Sequence, residues 1–366
     1  MKRKLPGKIK RIVVKVGSAI LTTEGLGINK AWVKSLVAQI AALVKKSNLE
    51  VILVTSGAIS AGMGVLGLCA RPKLLPPQQA AAAIGQGQLM KIYDSLFRAQ
   101  KLLTAQILLT RDDLSSRKRY LNAKNTLLTL LNYKTVPIIN ENDTVSVDEI
   151  KFGDNDKLSV LVANLVQAQL LIILSDVDGL YAKGTLVSVV EKIDSQIERL
   201  AEGTKSRLGT GGMISKLEAA KICCASGITC IVANGRTPDI LLRLIKHEEL
   251  GTLFLPNKQL VAKKSWIGYS AKISGQIVVD AGAKQALVAR KKSLLCKGIA
   301  KVHGNFASGD TLSILDTEHR EFARGLTNYS SSELDKIKGQ SSDQIKAILG
   351  FKYYDEVVHR DNLVIL

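Results

Sequence analysis

The 366-residue chain predicts an α/β fold, a mainly parallel sheet sandwiched by helices, followed by a small mixed-β domain. Three observations carry this. Up to about residue 250, short β-branched runs alternate with stretches of helical periodicity, as in sheets covered on both faces. Each strand-like run in that region closes on polar residues or glycine. After "LGTLFLPNKQLVAKKSW" the runs shorten, the helices shrink, and glycine-rich turns such as "HGNFASGD" join them. The break near Pro256 divides the chain into residues 1–255 and 256–366.

Taken in order, "RIVVKVG" is a buried strand. The basic stretch before it resembles a signal-peptide start, but its apolar run is broken by Lys15 and no small-residue cleavage site follows. "NKAWVKSLVAQIAALVKKS" sets Trp32, Val33, Leu36, Val37, Ile40 and Val44 on one helical face, with Asn29 as its N-cap. "EVILVTSG", "QILLT", "TVPIIN", "LLIILSD" and "TCIVANG" repeat the strand form. Helical stretches such as "DKLSVLVANLVQA" and "MISKLEAAKICCASG" separate them. Ligands of parallel sheets bind at the carboxyl ends of the strands. Those ends hold Gly17-Ser18, Ser56-Gly57, Asn140 to Asp143, Ser175-Asp176 and Asn234-Gly235. In the second part, "QIVVD", "TLSILD", "EFARGLTNYS" and "VVHRDNLVIL" are short strands around small helices.

Composition narrows the function classes. No apolar run reaches the roughly 18 residues of a spanning helix, so no membrane role is expected. Five cysteines without a CxxC pair predict reduced thiols and a cytoplasmic setting. The net charge of +19 is spread evenly: residues 1–255 hold 34 Lys and Arg against 21 Asp and Glu, and residues 256–366 hold 17 against 11. Diffuse charge favours anionic ligands and solubility. It gives no support to RNA binding by the second domain, which needs a concentrated basic face.

There is no P-loop and no glycine fingerprint after a strand; "GQGQLM" at Gly85 lacks both the third glycine and the strand. Three other places suit a phosphate. Lys15 and Gly17 close the first strand, "SGAISAG" leads into a helix, and "GTGGMISK" leads into another with Lys216 one turn inside it. No histidine precedes His247, so the first domain has no histidine base and no catalytic triad. A kinase acting on a hydroxyl wants such a base, whereas a carboxylate, with a pKa near 4.3, is already ionised.

The stretch "INENDTVSVDEIKFGDND" packs six carboxylates into eighteen residues. Acidic, Asn-rich segments are commonly solvated loops. A calcium loop fails, because the string from Asp143 lacks the ligand alternation and the central glycine.

Together "VVKVGSAIL", "VILVTSGAISAG", "VPIINEND", "KFGDNDKLS", "LIILSDVDGLY" and "GTGGMISK" resemble the glutamate 5-kinase family of the amino acid kinase superfamily. The remainder, from Trp266 with "KGIAKVHGNFASGD" and "HRD", resembles a PUA-like domain, so the resemblance spans essentially the whole chain. It implies transfer of the γ-phosphoryl group of ATP, with Mg²⁺, to the side-chain carboxylate of L-glutamate. The product is glutamyl 5-phosphate, in the first step of proline synthesis. It also implies feedback inhibition by proline; a homo-oligomer is expected. By the same resemblance, Lys15, Lys216 and Asp156 are catalytic, with Asp156 holding the two lysines. Ser56, Asp143 and Asn155 bind glutamate. Lys15, Gly17, Ser175, Asp176, Thr210, Gly211, Gly212, Met213, Ile214, Ser215 and Lys216 bind the nucleotide. The acidic stretch then serves a cationic amine and orients lysines instead of holding a metal, and no protein metal site is expected.

Two departures from the family pattern stand out. The segment after "GLY" is only "AKGTLV", shorter than usual, and Ala19 stands where a hydroxyl is common. Rival readings are a kinase of aspartate, acetylglutamate or UMP, against which "INEND" and "GDND" argue, and an RNA-binding protein on a degenerate kinase fold, against which the intact lysines and glycine loop argue.

Overall fold

The computed structural model describes residues 5, 7–22, 27–146, 155–202, 212–256, 266–352 and 354–366. They form two compact units, the first reaching Pro256 and the second starting at Trp266.

The first unit is built on β1 (Arg11–Val16), α1 (Lys30–Lys46), β2 (Glu50–Val54), α2 (Ala58–Leu66), α3 (Leu75–Ala99), β3 (Thr104–Leu109), α4 (Arg117–Asn132) and β4 (Val136–Glu141). It continues through α5 (Asn155–Leu165), β5 (Leu170–Ser175), β6 (Val189–Val190), α6 (Met213–Ala225), β7 (Thr229–Asn234) and β8 (Thr252–Phe254). The strands form one sheet in the order β3-β4-β2-β1-β5-β7-β8-β6. The six from β3 to β7 run parallel, and β8 pairs antiparallel with β7. Central strands of such a sheet are covered on both faces, which is why β1 and β5 read as unbroken apolar runs.

The chain places β2, β4 and β3 on one side of β1 and β5 and β7 on the other. The strand order therefore reverses between β1 and β5, and in open parallel sheets the ligand crevice lies at that switch. The pairing sets Lys15 beside Val54 of β2 and Ile173 of β5, one residue before the carboxyl end of β1. The amide of Gly17 then donates to Leu174 O at 3.0 Å.

Helix α1 starts where its cap predicts: the Asn29 side chain accepts from the Trp32 amide at 3.0 Å. Its buried stripe of Val33, Leu36, Val37 and Ile40 packs into the core with Tyr93 and Phe97 of α3. "GQGQLM" lies inside α3, a 25-residue helix with proline in its first turn, where a missing N–H costs nothing. Helices α2 and α3 touch backbone to backbone. A Cβ on Gly62 would fall 1.8 Å from Ala81 O, and one on Gly85 would fall 1.8 Å from Ala58 O.

The second unit contains β9 (Ile273–Val279), α7 (Ala281–Val288), β10 (Ile299–His303), β11 (Thr311–Leu315), β12 (Glu321–Leu326), α8 (Ser331–Ile337) and β13 (Leu363–Ile365). Its sheet runs β10-β9-β11-β12-β13, with one parallel pair, β9 and β11, among antiparallel ones. It has its own core, including Ile277, Ile314, Tyr329, Leu334 and Val358.

Candidate active site

Lys15 is 3% exposed, and burying its ammonium demands an opposite charge. That charge is Asp156, the second residue of α5 and fully buried, whose Oδ1 meets Lys15 Nζ in an ion pair. Its Oδ2 lies 3.3 Å from Lys216 Nζ and accepts from Ser215 Oγ at 3.1 Å. Lys216, 7% exposed, comes from α6, so three distant segments converge on one carboxylate. Two ammonium groups therefore meet on one buried carboxylate. Ammonium groups fixed in a low-dielectric position act on an anion more strongly than the same charges in water.

Asn155, immediately before Asp156, ties this cluster to the neighbouring strand ends. Its Nδ2 faces Thr55 O at 2.7 Å, Ser56 Oγ at 2.9 Å and Asn140 Oδ1 at 2.9 Å. Its Oδ1 is buried and has no hydrogen-bond partner among the described residues. Gly57, next to Ser56, starts α2 with φ at +96° and no side-chain cap, a conformation that favours glycine. The first amides of α2 are therefore free of a capping side chain.

Asp143 sits half-buried in the turn after β4. Residues 147–154, the rest of the acidic stretch before Asn155, lie outside the described residues, as do Thr210 and Gly211. Gly212 begins α6 and, being glycine, gives that helix no side-chain cap. Met213 is buried, whereas the Ile214 side chain is 52% exposed. Ser215 Oγ lies 3.1 Å from both Asp156 Oδ2 and Gly212 O, so this hydroxyl links the loop to the carboxylate. At the end of β5, Ser175 Oγ donates to Asp176 Oδ1 at 2.9 Å. Just beyond, Asp178 accepts from Asn234 Nδ2 and from the Tyr181 hydroxyl, each at 2.9 Å. The short "AKGTLV" segment closes as a hairpin that pairs Tyr181 with Leu186.

A Cβ on Gly17 would stand 3.8 Å from Lys15 Nζ, an ordinary contact distance, so the chain passes close beside that ammonium at this strand end. Two participants escaped sequence reasoning: Gln86, inside α3, and Asn140, seen only as part of a strand ending. Asn140 Nδ2 donates to Gln86 Oε1 at 2.9 Å. Behind the site, the Cys230 thiol is pushed well up by its hydrogen bond with Cys223 and by burial, which makes it a poor nucleophile. Among the described residues, no group of three or more His, Cys, Asp or Glu side chains is arranged to hold a metal ion.

The amino acid kinase family model matches residues 10–234, and the PUA domain model matches residues 275–349. A glutamate 5-kinase of Caldanaerobacter subterraneus subsp. tengcongensis is 52% identical over 97% of this chain and 98% of its own. Another, of Citrifermentans bemidjiense, is 50% identical over the whole of both chains. A crystal structure of UMP kinase from Bacillus anthracis aligns at a TM-score of 0.47 with 14% identity, over 69% of this chain and 98% of that one, a likeness too slight to bear on function. The chain belongs to the amino acid kinase family and, within it, to the glutamate 5-kinases.

Proposed function

We infer that the chain transfers the γ-phosphoryl group of ATP to the side-chain carboxylate of L-glutamate, yielding glutamyl 5-phosphate and ADP in proline biosynthesis. A carboxylate oxygen attacks the γ-phosphorus, and the bond to the β–γ bridging oxygen breaks, so the electron pair leaves with ADP. The nucleophile is already ionised, and no proton has to be removed. What remains is to bring two anions together. The observation that carries the reading is the Asp156 carboxylate held between Lys15 and Lys216 at the carboxyl end of the sheet.

In this reading Lys15 and Lys216 meet the charge on the transferring phosphoryl group, and Asp156 fixes both ammoniums before substrate arrives. Such preorganisation is where electrostatic catalysis gains most. The β5 end at Ser175 and Asp176, Gly17, and the residue 210–216 loop take the nucleotide. Ser56, Asn155 and Asp143 take glutamate, with Asp143 offered to its ammonium group. Magnesium would travel with the nucleotide, whose phosphates supply much of its coordination and whose charge it offsets.

Three finer readings accompany this one: feedback inhibition by proline, which rests on the family resemblance, homo-oligomeric assembly, and a kinase domain ending at residue 255, which rests on the change of composition near Pro256. A cytoplasmic setting is supported by five free cysteines and by the lack of any helix among the described residues long and apolar enough to cross a membrane. The deciding assay is ADP release with L-glutamate, with hydroxylamine present to trap an acyl phosphate. A hydroxamate should form with glutamate and not with aspartate or acetylglutamate, and UMP should release no ADP.

A further inference from the structure

The buried face of α3 contains a polar group that the proposed chemistry does not use. Gln86 is 9% exposed, and its Nε2 is buried with no hydrogen-bond partner among the described residues. An amide is an awkward choice beside Leu89 and Tyr93, because a donor taken out of water without a partner is destabilising. Its other end explains why an amide stands there. Gln86 Oε1 accepts from Asn140 Nδ2 at 2.9 Å. Asn140 Oδ1 accepts from the Glu141 amide and from Asn155 Nδ2, each at 2.9 Å. Asn155 Nδ2 also lies 2.7 Å from Thr55 O.

The orientation of every amide in this chain is determined. Thr55 O can only accept, so Asn155 must turn its nitrogen that way. The Glu141 N–H can only donate, so Asn140 must turn its oxygen toward it. The nitrogen of Asn140 then faces α3, where only an acceptor satisfies it. Gln86 supplies that acceptor and leaves its own nitrogen unpaired. The consequence at the far end is a buried, unpartnered Asn155 Oδ1 held in one direction, beside Ser56.

We propose that Gln86 is a positioning residue for amino-acid recognition: by accepting from Asn140 it holds that side chain against Asn155, and so keeps the Asn155 amide in the place that receives glutamate. This rests on the assignment of Asn155 to the glutamate site. Gln86 touches neither substrate and acts on the affinity for one of them only.

The test is a double-mutant cycle on the full chain, read by steady-state kinetics for both substrates. Gln86→Met keeps the length and apolar contacts of the side chain and removes the acceptor. It should raise the glutamate KM about tenfold, the worth of one hydrogen bond, with kcat and the ATP KM within about twofold of wild type. Asn140→Ala should raise the glutamate KM at least as far, and the double variant should be no worse than Asn140→Ala alone, because residues acting through one another are not additive. Gln86→Leu replaces Gln86→Met if the latter does not fold. An unchanged glutamate KM in the Gln86 variant overturns the proposal. So do effects that multiply in the double variant, and so does an equal rise in both KM values. Wild-type turnover of glutamate, measured alongside, reports separately on the underlying activity.

Discussion

At the scale of single residues, the site holds two ammoniums on one buried carboxylate, and that arrangement directs what each substitution should do. Lys216 is nearly buried and shares Asp156 with Lys15 and Ser215, so its charge is held ready and not recruited by substrate. Interactions that strengthen only in the transition state raise kcat, whereas uniform binding changes KM. Lys216→Ala should therefore lower kcat by about 100-fold or more, in the range of a lost electrostatic donor, while the ATP KM shifts only a few-fold. An unchanged kcat with a raised ATP KM would make Lys216 a binding residue. Asp143→Asn probes the other substrate. It keeps size and hydrogen-bonding capacity but removes the charge offered to the ammonium of glutamate. The loss should be about 10- to 150-fold in kcat/KM for glutamate, the worth of a hydrogen bond to a charged group, with the ATP KM nearly constant. Kinetics at two Mg²⁺ concentrations separates this from a metal role, which extra Mg²⁺ would rescue. Lys15, Asp156 and Lys216 were nameable because their motifs are distinctive. Gln86 was not: its significance lies in an acceptor presented to Asn140, 54 residues away in sequence, and spacing does not encode such a contact.

At the scale of elements, the pairing of α2 and α3 determines whether Gln86 reaches β4 at all. Gly62 and Gly85 let the two backbones meet with no side chain between them. The neighbours that an added Cβ would strike are carbonyl oxygens of the facing helix, which cannot swing away as a side-chain tip can. Gly62→Ala should therefore force the helices apart and destabilise the protein by about 1–3 kcal/mol, as overpacking does. Because α3 would retreat with Gln86, the glutamate KM should rise as well. A melting temperature and glutamate KM both equal to wild type would show that the crossing is not tight. The strands and most helices here were legible from period and caps, as the Asn29 cap on α1 illustrates. Helix α3 was harder to read: its run of alanines and glutamines carries little amphipathic signal, and its glycines look like a turn until the partner helix is seen. Likewise the sequence marks five polar strand ends, but only the parallel pairing of β4, β2, β1, β5 and β7 puts all five on one edge.

At the scale of the whole molecule, the question is whether the second unit takes part in the chemistry. Every residue assigned to glutamate or the nucleotide precedes Leu217. The core around β1, β2 and β5 draws on residues up to Leu253, and the core of the second unit is built from Ile277 to Leu363. A domain with a separate core and a complete set of contacts can fold alone. A chain ending at residue 255 should therefore fold cooperatively, as circular dichroism and a single thermal transition would register. Its kcat/KM for glutamate should stay within about tenfold of the full chain, because no proposed substrate contact is removed. The even distribution of positive charge gives no reason to expect a different partner for the two parts, so loss of the PUA domain should leave substrate affinities in place. Two results are possible from a soluble, folded truncation. Retained turnover assigns phosphoryl transfer to the first unit alone and leaves the PUA domain to regulation or assembly. Complete loss of turnover would mean that the second unit supplies something to the site, and the boundary at residue 255 would have to be abandoned.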